Sequence, residues 1–167
     1  MAFNPEPLLS ATPIIQAHVA TALPALLLGP VALFRRRRDR LHKITGYAWV
    51  VSMLALALTG LFIPSHSLAL IGPFGPIHLL SFLTLWSVLS GVAHARAGRI
   101  TAHQTAMRVT WFAALGLAGL FTLAPGRIMN EMLIGARPEA GPALIVAGLA
   151  LLGILWWRRA GTLRSNG

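Results

Sequence analysis

Histidine is the residue type in this sequence whose placement could support chemistry. The chain carries six histidines: His18, His42, His66, His78, His94 and His103. A neutral imidazole is a common metal ligand, and two imidazoles from facing helices can hold a haem iron axially. The sequence has no cysteine, which excludes disulfides, thiolate zinc sites and cysteine nucleophiles.

The segments that have to position these histidines are strongly apolar. Hydrophobic residues make up 56% of the 167 residues and charged residues only 11%, against about 25% charged in an average soluble domain. A membrane span takes roughly 20 apolar residues, and four segments reach that length while a fifth approaches it. Extended to their start signals, they cover residues 13–34, 41–63, 76–94, 103–124 and 142–158.

Such spans must be helices, because in hydrocarbon each backbone group has to find its hydrogen-bond partner within the chain. The sequence therefore predicts an all-α fold, a polytopic transmembrane helical bundle. It has a four-helix core and a fifth span, in a single membrane domain over residues 1–167. We expect Asp39 to cap the second helix and Thr101 the fourth, which would place His42 and His103 in first helical turns.

The formal net charge of +10 is distributed unevenly along the chain. If five spans alternate in direction, twelve of the fourteen lysines and arginines lie on one face, and only Arg127 and Arg137 lie on the other. Basic residues are retained on the cytoplasmic side of a membrane. We therefore expect the N-terminus to lie outside and the C-terminus in the cytoplasm.

The densest basic segment, residues 35–43, directly follows the first span. A nucleic-acid site would interleave basic and aromatic residues on a folded surface, which this segment does not do. Its position is typical of a loop that fixes topology and touches anionic lipid at the cytoplasmic face. The expected partner is the lipid bilayer, and no nucleic acid is expected.

This topology divides the histidines between the two ends of the bundle. Those expected near the outer face are His18, His66 and His78, and those expected near the cytoplasmic face are His42, His94 and His103. An outer haem b would use His18 with His78, and an inner one would use His42 with His103 or His94. The basic residues available around the inner site are Arg40, Arg96, Arg99 and Arg108.

Other interpretations of these residues stay open at this point. His94 follows His78 by 16 positions, which at about 100° per residue leaves them about 160° apart on one helix, so two haems stacked in a single cleft are disfavoured. The inner histidines could instead be interfacial residues bound to lipid phosphate or loop carbonyls. Thioethers from Met129 and Met132 with outer imidazoles would suit copper(I). The identity of any metal is unknown.

Several residues have a structural interpretation. The tryptophans Trp49, Trp86 and Trp111 are expected at the membrane interface or facing lipid. Close approach of helices is expected at Gly116, Gly119, Gly148 and Gly153.

Two short motifs resemble those of an uncharacterised family of small bacterial integral membrane proteins. The run LHKITGY from Leu41 is similar to that family's H-[RK]-x-x-G-x-x-[YW] signature, and HQTAMR from His103 to its H-x-x-x-M-R motif. A histidine in the first span, GPIH from Gly75 and LFTLAPGR from Leu120 add to the likeness, which covers roughly residues 14–128. The resemblance implies a four-helix membrane core with histidines in set places, but no substrate.

Two functions fit these observations, and the sequence does not decide whether the protein is an enzyme. The first is a histidine-ligated redox protein of a bacterial cytoplasmic membrane, most concretely a b-type haem carrier in electron transfer. The second is a non-catalytic accessory or assembly subunit of a larger membrane complex, or a homo-oligomer. A permease is disfavoured because the spans lack charged residues and no inverted repeat is evident.

Overall fold

The computed structural model describes residues 3–35, 37–65, 71–135 and 137–164, without the side chains of 158–164. In these residues the chain forms α-helices joined by short connections, and it contains no β-strand beyond one isolated bridge between Ile71 and Phe74. The helices are α1 (Glu6–Leu9), α2 (Pro13–Phe34), α3 (Arg40–Leu61), α4 (Pro76–Arg96), α5 (Ile100–Thr110), a π-helix (Trp111–Leu117), α6 (Ala118–Phe121), α7 (Ile128–Leu133) and α8 (Ala140–Arg164). The predicted all-α class is confirmed.

Four of the predicted spans are single α-helices long and apolar enough to cross a membrane. They are Pro13–Phe34, Arg40–Leu61, Pro76–Arg96 and Ala140–Trp157. The segment predicted as the fourth span, 103–124, is instead a composite of α5, the π-helix and α6. A π-helix bonds each N–H to the carbonyl five residues back, so the run from residue 100 to residue 121 stays helical while its hydrogen-bond pattern changes.

The helix starts show which local signals the sequence predicts well. Asp39 caps α3 as expected, because its carboxylate accepts the backbone N–H of His42 at 3.0 Å. The expectation that Thr101 caps α5 is wrong, because α5 already begins at Ile100. Gly98 adopts a positive φ of 72°, which turns the chain within a few residues of α4 and lets the next helix begin early.

The chain divides into two compact units, and the first of them, Ala11–Leu115, contains α2 to α5. In this unit α2 packs on α3, α3 on α4, α4 on α5, and α5 back on α2. The four helices therefore form a closed ring in which α3 and α5 are diagonal partners, as are α2 and α4. The ring matches the predicted four-helix core, and its buried apolar residues include Ala25, Met53, Val88 and Met107.

Three glycines allow the helices of this ring to approach closely. A Cβ at Gly29 of α2 would overlap Trp111, and a Cβ at Gly91 of α4 would overlap Met107. A Cβ at Gly60 of α3 would lie 2.8 Å from the hydroxyl oxygen of Ser81 on α4. Small residues at helix contacts are what permits such packing in a membrane protein.

Close approach was expected at other glycines, with a mixed outcome. In the second unit a Cβ at Gly148 would overlap Leu120, which fits the expectation. Gly119 and Gly153 have open space around them, so the expectation is wrong at these two positions.

The tryptophans also differ from expectation. Trp49 and Trp111 are only 2% and 7% exposed, so their predicted interfacial or lipid-facing position is wrong. Gly29 provides the reason, because its missing side chain leaves space for the Trp111 ring, with the Trp49 ring nitrogen 3.0 Å from where a Cβ would stand. Trp86 is 74% exposed, as a lipid-facing residue would be.

The second unit takes in the described residues on either side of the first. Within it α1 packs on α7 and α6 packs on α8. Asn130 of α7 is fully buried, and its side-chain amide donates to the carbonyls of Leu123 and Pro138 at 2.7 and 3.2 Å. These bonds hold the connection between α6 and α8.

The glycine contacts predict a difference between two matched alanine variants. Gly29→Ala should lower the thermal unfolding temperature in detergent, because overpacking a full site costs about 1–3 kcal/mol. Gly46→Ala is the control, since Gly46 lies within α3 with no neighbour within 4 Å of an added Cβ. It should be neutral or slightly stabilising. Equal unfolding temperatures for the two variants, followed by circular dichroism, would contradict this packing.

Candidate functional site

A cavity of about 270 Å³ opens at the end of the ring where α2 ends, α3 begins, α4 ends and α5 begins. His42 of α3 and His103 of α5 both line it. Six basic residues line it as well: Arg35, Arg37, Arg38, Lys43, Arg96 and Arg108. The structure thus places two of the predicted inner histidines in one cavity. Basic residues of segment 35–43, which is predicted to fix the topology, line the same cavity.

Each of these histidines is held by a main-chain carbonyl of a neighbouring helix. Nδ1 of His42 lies 3.2 Å from the carbonyl oxygen of Ala32, and Nδ1 of His103 lies 2.9 Å from that of Gly91. A carbonyl oxygen only accepts, so Nδ1 must be the protonated nitrogen in both rings. The lone pair of each neutral imidazole is then on Nε2. Metal-ligating histidines in proteins are oriented in this way.

The start of α3 connects the basic loop to His42. The carboxylate of Asp39 accepts from the backbone N–H of His42 and is paired with the Arg35 guanidinium, whose Nε lies 2.7 Å from Oδ1. The Arg35 guanidinium and then the His42 N–H lower the pKa of the Asp39 carboxyl well below its ordinary value of 3.8, and Asp39 in turn raises the pKa of Arg35. This acid therefore stays ionised and keeps the first turn of α3 in place.

Trp49 lies two turns further along α3 than His42, at about 10 Å from it along the helix axis, and also lines the cavity. Its indole Nε1 is buried and has no hydrogen-bond acceptor among the described residues, and the same holds for Nε1 of Trp111. A buried donor without a partner costs free energy. The interior below the two histidines can therefore supply hydrogen bonds to an oxygen atom.

His94, the other predicted inner histidine, is placed differently. It lies half-buried in the last turn of α4 and is not among the residues that line the cavity. Its buried Nδ1 has no hydrogen-bond partner in the part of the chain that the structure describes. Of the arginines expected around the inner site, Arg96 and Arg108 line the cavity, whereas Arg40 and Arg99 do not.

His18 lies at the other end of the ring, against the end of α3. Its Nδ1 is 3.1 Å from the hydroxyl oxygen of Thr59. That hydroxyl donates its hydrogen to the carbonyl of Ala55 at 2.8 Å, so it accepts from His18. A Cβ at Gly60 would stand 3.3 Å from Cε1 of the imidazole, which shows how closely α2 and α3 approach here. The lone pair of the neutral His18 ring is then on Nε2.

His78 is at the same end of the ring but in the opposite tautomer. It is 4% exposed, stands edge-on to Phe74, and its Nδ1 accepts the backbone N–H of Gly75 at 3.0 Å. The proton of the neutral ring is therefore on Nε2, which leaves that nitrogen without a lone pair for a metal. Gly75 is the N-cap of α4, and the His78 ring, in the first turn, bonds back to its N–H. His66, the remaining predicted outer histidine, lies outside the described residues.

The donor sets limit which metals the described residues could hold. They contain no group of three or more His, Asp or Glu side chains near enough to bind one metal ion. Met129 and Met132, the thioethers of the copper interpretation, lie on α7 in the second unit, where Met132 is buried. A cofactor that brings most of its own metal ligands needs only the two imidazoles that the cavity offers.

Sequence reasoning missed the role of the arginine loop as cavity lining and the burial of Trp49 and Trp111. For the tryptophans, helical spacing is a signal in the sequence that relates each of them to a cavity histidine. His42 and Trp49 are seven residues apart, which at about 100° per residue leaves them about 20° apart on one helix face, and His103 and Trp111, eight residues apart, differ by about 80°.

Comparison with known proteins gives one match. A family described as a predicted membrane protein, DUF2306, matches residues 15–156. No curated protein and no solved structure is significantly similar to the chain. The family match extends beyond the ring of helices into α8.

The Asp39 carboxylate gives the start of α3 a defined pH dependence. Because folding lowers its pKa from 3.8, its stabilisation is complete above that value and is lost as the pH falls through the folded-state pKa. Asp39→Ala should lower the unfolding temperature at pH 5–7 by more than Glu139→Ala, an exposed control. The difference between the unfolding temperatures of the two variants should shrink only as the pH falls below 3.8. A difference that stays constant from pH 7 to pH 2 would contradict the assignment.

Proposed function

We propose that the chain, which belongs to the DUF2306 family of predicted membrane proteins, is a membrane redox protein that binds haem b between α3 and α5. His42 and His103 would hold the haem iron in this proposal. Its function is electron transfer, with the haem iron changing between its ferric and ferrous states when bound. The membrane setting follows from the family and from the four apolar helices of span length.

One observation carries the proposal. The two histidines come from diagonal helices of the ring, line one cavity, and each has its Nδ1 hydrogen bonded to a carbonyl. The lone pair of each neutral ring is then on Nε2, so both imidazoles that line this cavity have a nitrogen available as a ligand. Haem supplies four equatorial nitrogens itself, so a pair of facing imidazoles completes its coordination.

The charge of the cavity suits the two haem propionates. Among the basic residues that line it, Arg96 lies at the end of α4 and Arg108 lies on α5. Guanidinium groups bind carboxylates with two parallel hydrogen bonds, and such charge-assisted bonds are about twice as strong as neutral ones. These residues would orient the propionates toward the open end of the ring.

The size of the cavity sets a condition on binding. Pockets for drug-sized ligands measure about 300–1,000 Å³, and this one, at about 270 Å³, is smaller than a tetrapyrrole requires. Haem would therefore bind with α3 and α5 further apart. Met107 lies between α4 and α5 and lines the cavity, and its flexible side chain is one that can move aside.

A second haem at the opposite end extends the proposal. His18 on α2 and His78 on α4 lie on the other diagonal of the ring, and the two histidine levels are about 25 Å apart along α3. Two haems so placed would carry electrons across the bilayer. His78 would have to release the Gly75 N–H to free Nδ1, or transfer its proton to that atom to free Nε2.

The orientation belongs to the same proposal. The basic loop between α2 and α3 and the basic end of α4 line one cavity, so they share one end of the ring. Retention of basic residues would place this end in the cytoplasm of a bacterium, against anionic lipid, with the N-terminus outside and the C-terminus inside.

The inner site is tested by a visible spectrum of the protein purified in mild detergent from haem-supplied cells. We expect a Soret band and a sharp band near the haem α position on reduction. In a His18→Ala background, which removes the proposed outer haem, His42→Ala and His103→Ala should each lose it, because one imidazole cannot hold the iron in a six-coordinate state. His94→Ala, the matched control on α4, should keep it.

Two results would overturn this assignment. One is a colourless wild-type protein, and a fixed large partner that co-purifies with it would then favour an accessory subunit. The other is a spectrum left unchanged by both His42→Ala and His103→Ala.

The outer site is tested by counting haem per protein. We expect His18→Ala to halve the haem content of a two-haem protein while the inner band stays, since the two sites lie at opposite ends of the ring. His78→Ala should give the same loss. A haem content that neither variant changes would refute the outer ligand pair.

A further inference from the structure

The mouth of the cavity carries more positive charge than the described residues compensate. Of its six cations only Arg35 has an acidic partner in the described part of the chain, namely Asp39. The other five line the same opening without an ion pair among the described residues: Arg37, Arg38, Lys43, Arg96 and Arg108. Like charges around one space repel each other, and this cluster therefore favours an anion.

The backbone at this opening adds to the positive potential. α5 begins at the cavity with Ile100, and no side chain caps its N-terminus. The first N–H groups of a helix carry partial positive charge and bind anions. α3 differs, because Asp39 already caps its first turn.

We propose that the mouth of this cavity binds a multiply charged phosphate group. The site goes beyond the general attraction of a basic face to anionic lipid, because it assigns the anion to residues that line one cavity. It shares Arg96 and Arg108 with the proposed haem propionates, whereas Arg37, Arg38 and Lys43 would have no propionate partner.

Phosphate is the anion that these side chains suit best. Four of the five unpaired cations are arginines, whose planar guanidinium forks match phosphate oxygens with two bonds each. A phosphate ester offers several oxygens and up to two charges, which lets it contact cations from the α2–α3 loop, α4 and α5 together. The group could be the head of an anionic phospholipid or a free phosphate, and the chemistry of the site is the same for both.

Two neighbouring arginines provide a matched comparison. Arg38 lines the cavity, whereas Arg40, two positions further on and also exposed, does not. Replacing either arginine removes one positive charge from this face. General electrostatic attraction would therefore weaken equally in both variants, whereas a site of defined geometry would lose more binding with Arg38 replaced than with Arg40 replaced.

The experiment titrates the purified protein in an uncharged detergent and follows tryptophan fluorescence, to which Trp49 of the cavity contributes. The probes are inorganic phosphate, dioctanoyl phosphatidic acid and, as a zwitterionic control, dioctanoyl phosphatidylcholine. Haem content is recorded by the Soret band in each preparation, so that loss of the proposed haem is not mistaken for loss of this site.

We expect phosphatidic acid to bind saturably and phosphatidylcholine not to bind. Arg37→Gln and Arg38→Gln should each weaken binding about tenfold, and Arg40→Gln less than about threefold. If inorganic phosphate competes with the lipid, the group alone is sufficient; if it does not, the ligand is the lipid. Equal losses in Arg38→Gln and Arg40→Gln, or no saturable binding of either phosphate probe, would overturn the proposal.

Discussion

A helix in lipid satisfies its own backbone hydrogen bonds, and this constraint leaves side chains alone to decide which helices face each other. In the ring of α2 to α5 the helices that face each other do so at missing or small side chains. Gly29 leaves space for Trp111, Gly60 lies against Ser81 and Gly91 leaves space for Met107. The same close approach brings the carbonyls of Ala32 and Gly91 within reach of His42 and His103. The packing of the helices and the orientation of the candidate ligands therefore have one cause.

Much of the fold could be predicted from the sequence because its signals are local. Apolar length located the spans, and the Asp39 cap located the start of α3. The signals that failed depend on neighbours. Thr101 does not cap α5, because the tight turn at Gly98 lets the helix begin at Ile100. Trp111 is buried and not interfacial, because the space beside Gly29 accommodates its ring. The π-helix from Trp111 has no sequence signal that we recognise.

The candidate site could be predicted only in part. Helix starts predict that His42 and His103 lie at one end, but it takes the structure to show that His103 lines a cavity with His42 while His94 does not. The tautomers of His42, His103 and His78 depend on carbonyl and amide partners that no spacing rule supplies. The basic loop has two properties, of which the sequence indicates only the first. Its charges suit a cytoplasmic loop, and its side chains line the histidine cavity.

The central claim is that one iron is held by both His42 and His103. Electron paramagnetic resonance of the oxidised protein tests it most directly, because the spin state of ferric haem reports its two axial ligands. With the outer pair removed by His18→Ala, we expect a low-spin signal typical of two imidazoles in the otherwise unchanged protein and with His94→Ala, and a high-spin signal or none with His42→Ala or His103→Ala. A low-spin bis-imidazole signal that survives in either of the last two variants, with the outer pair removed by His18→Ala, would contradict it.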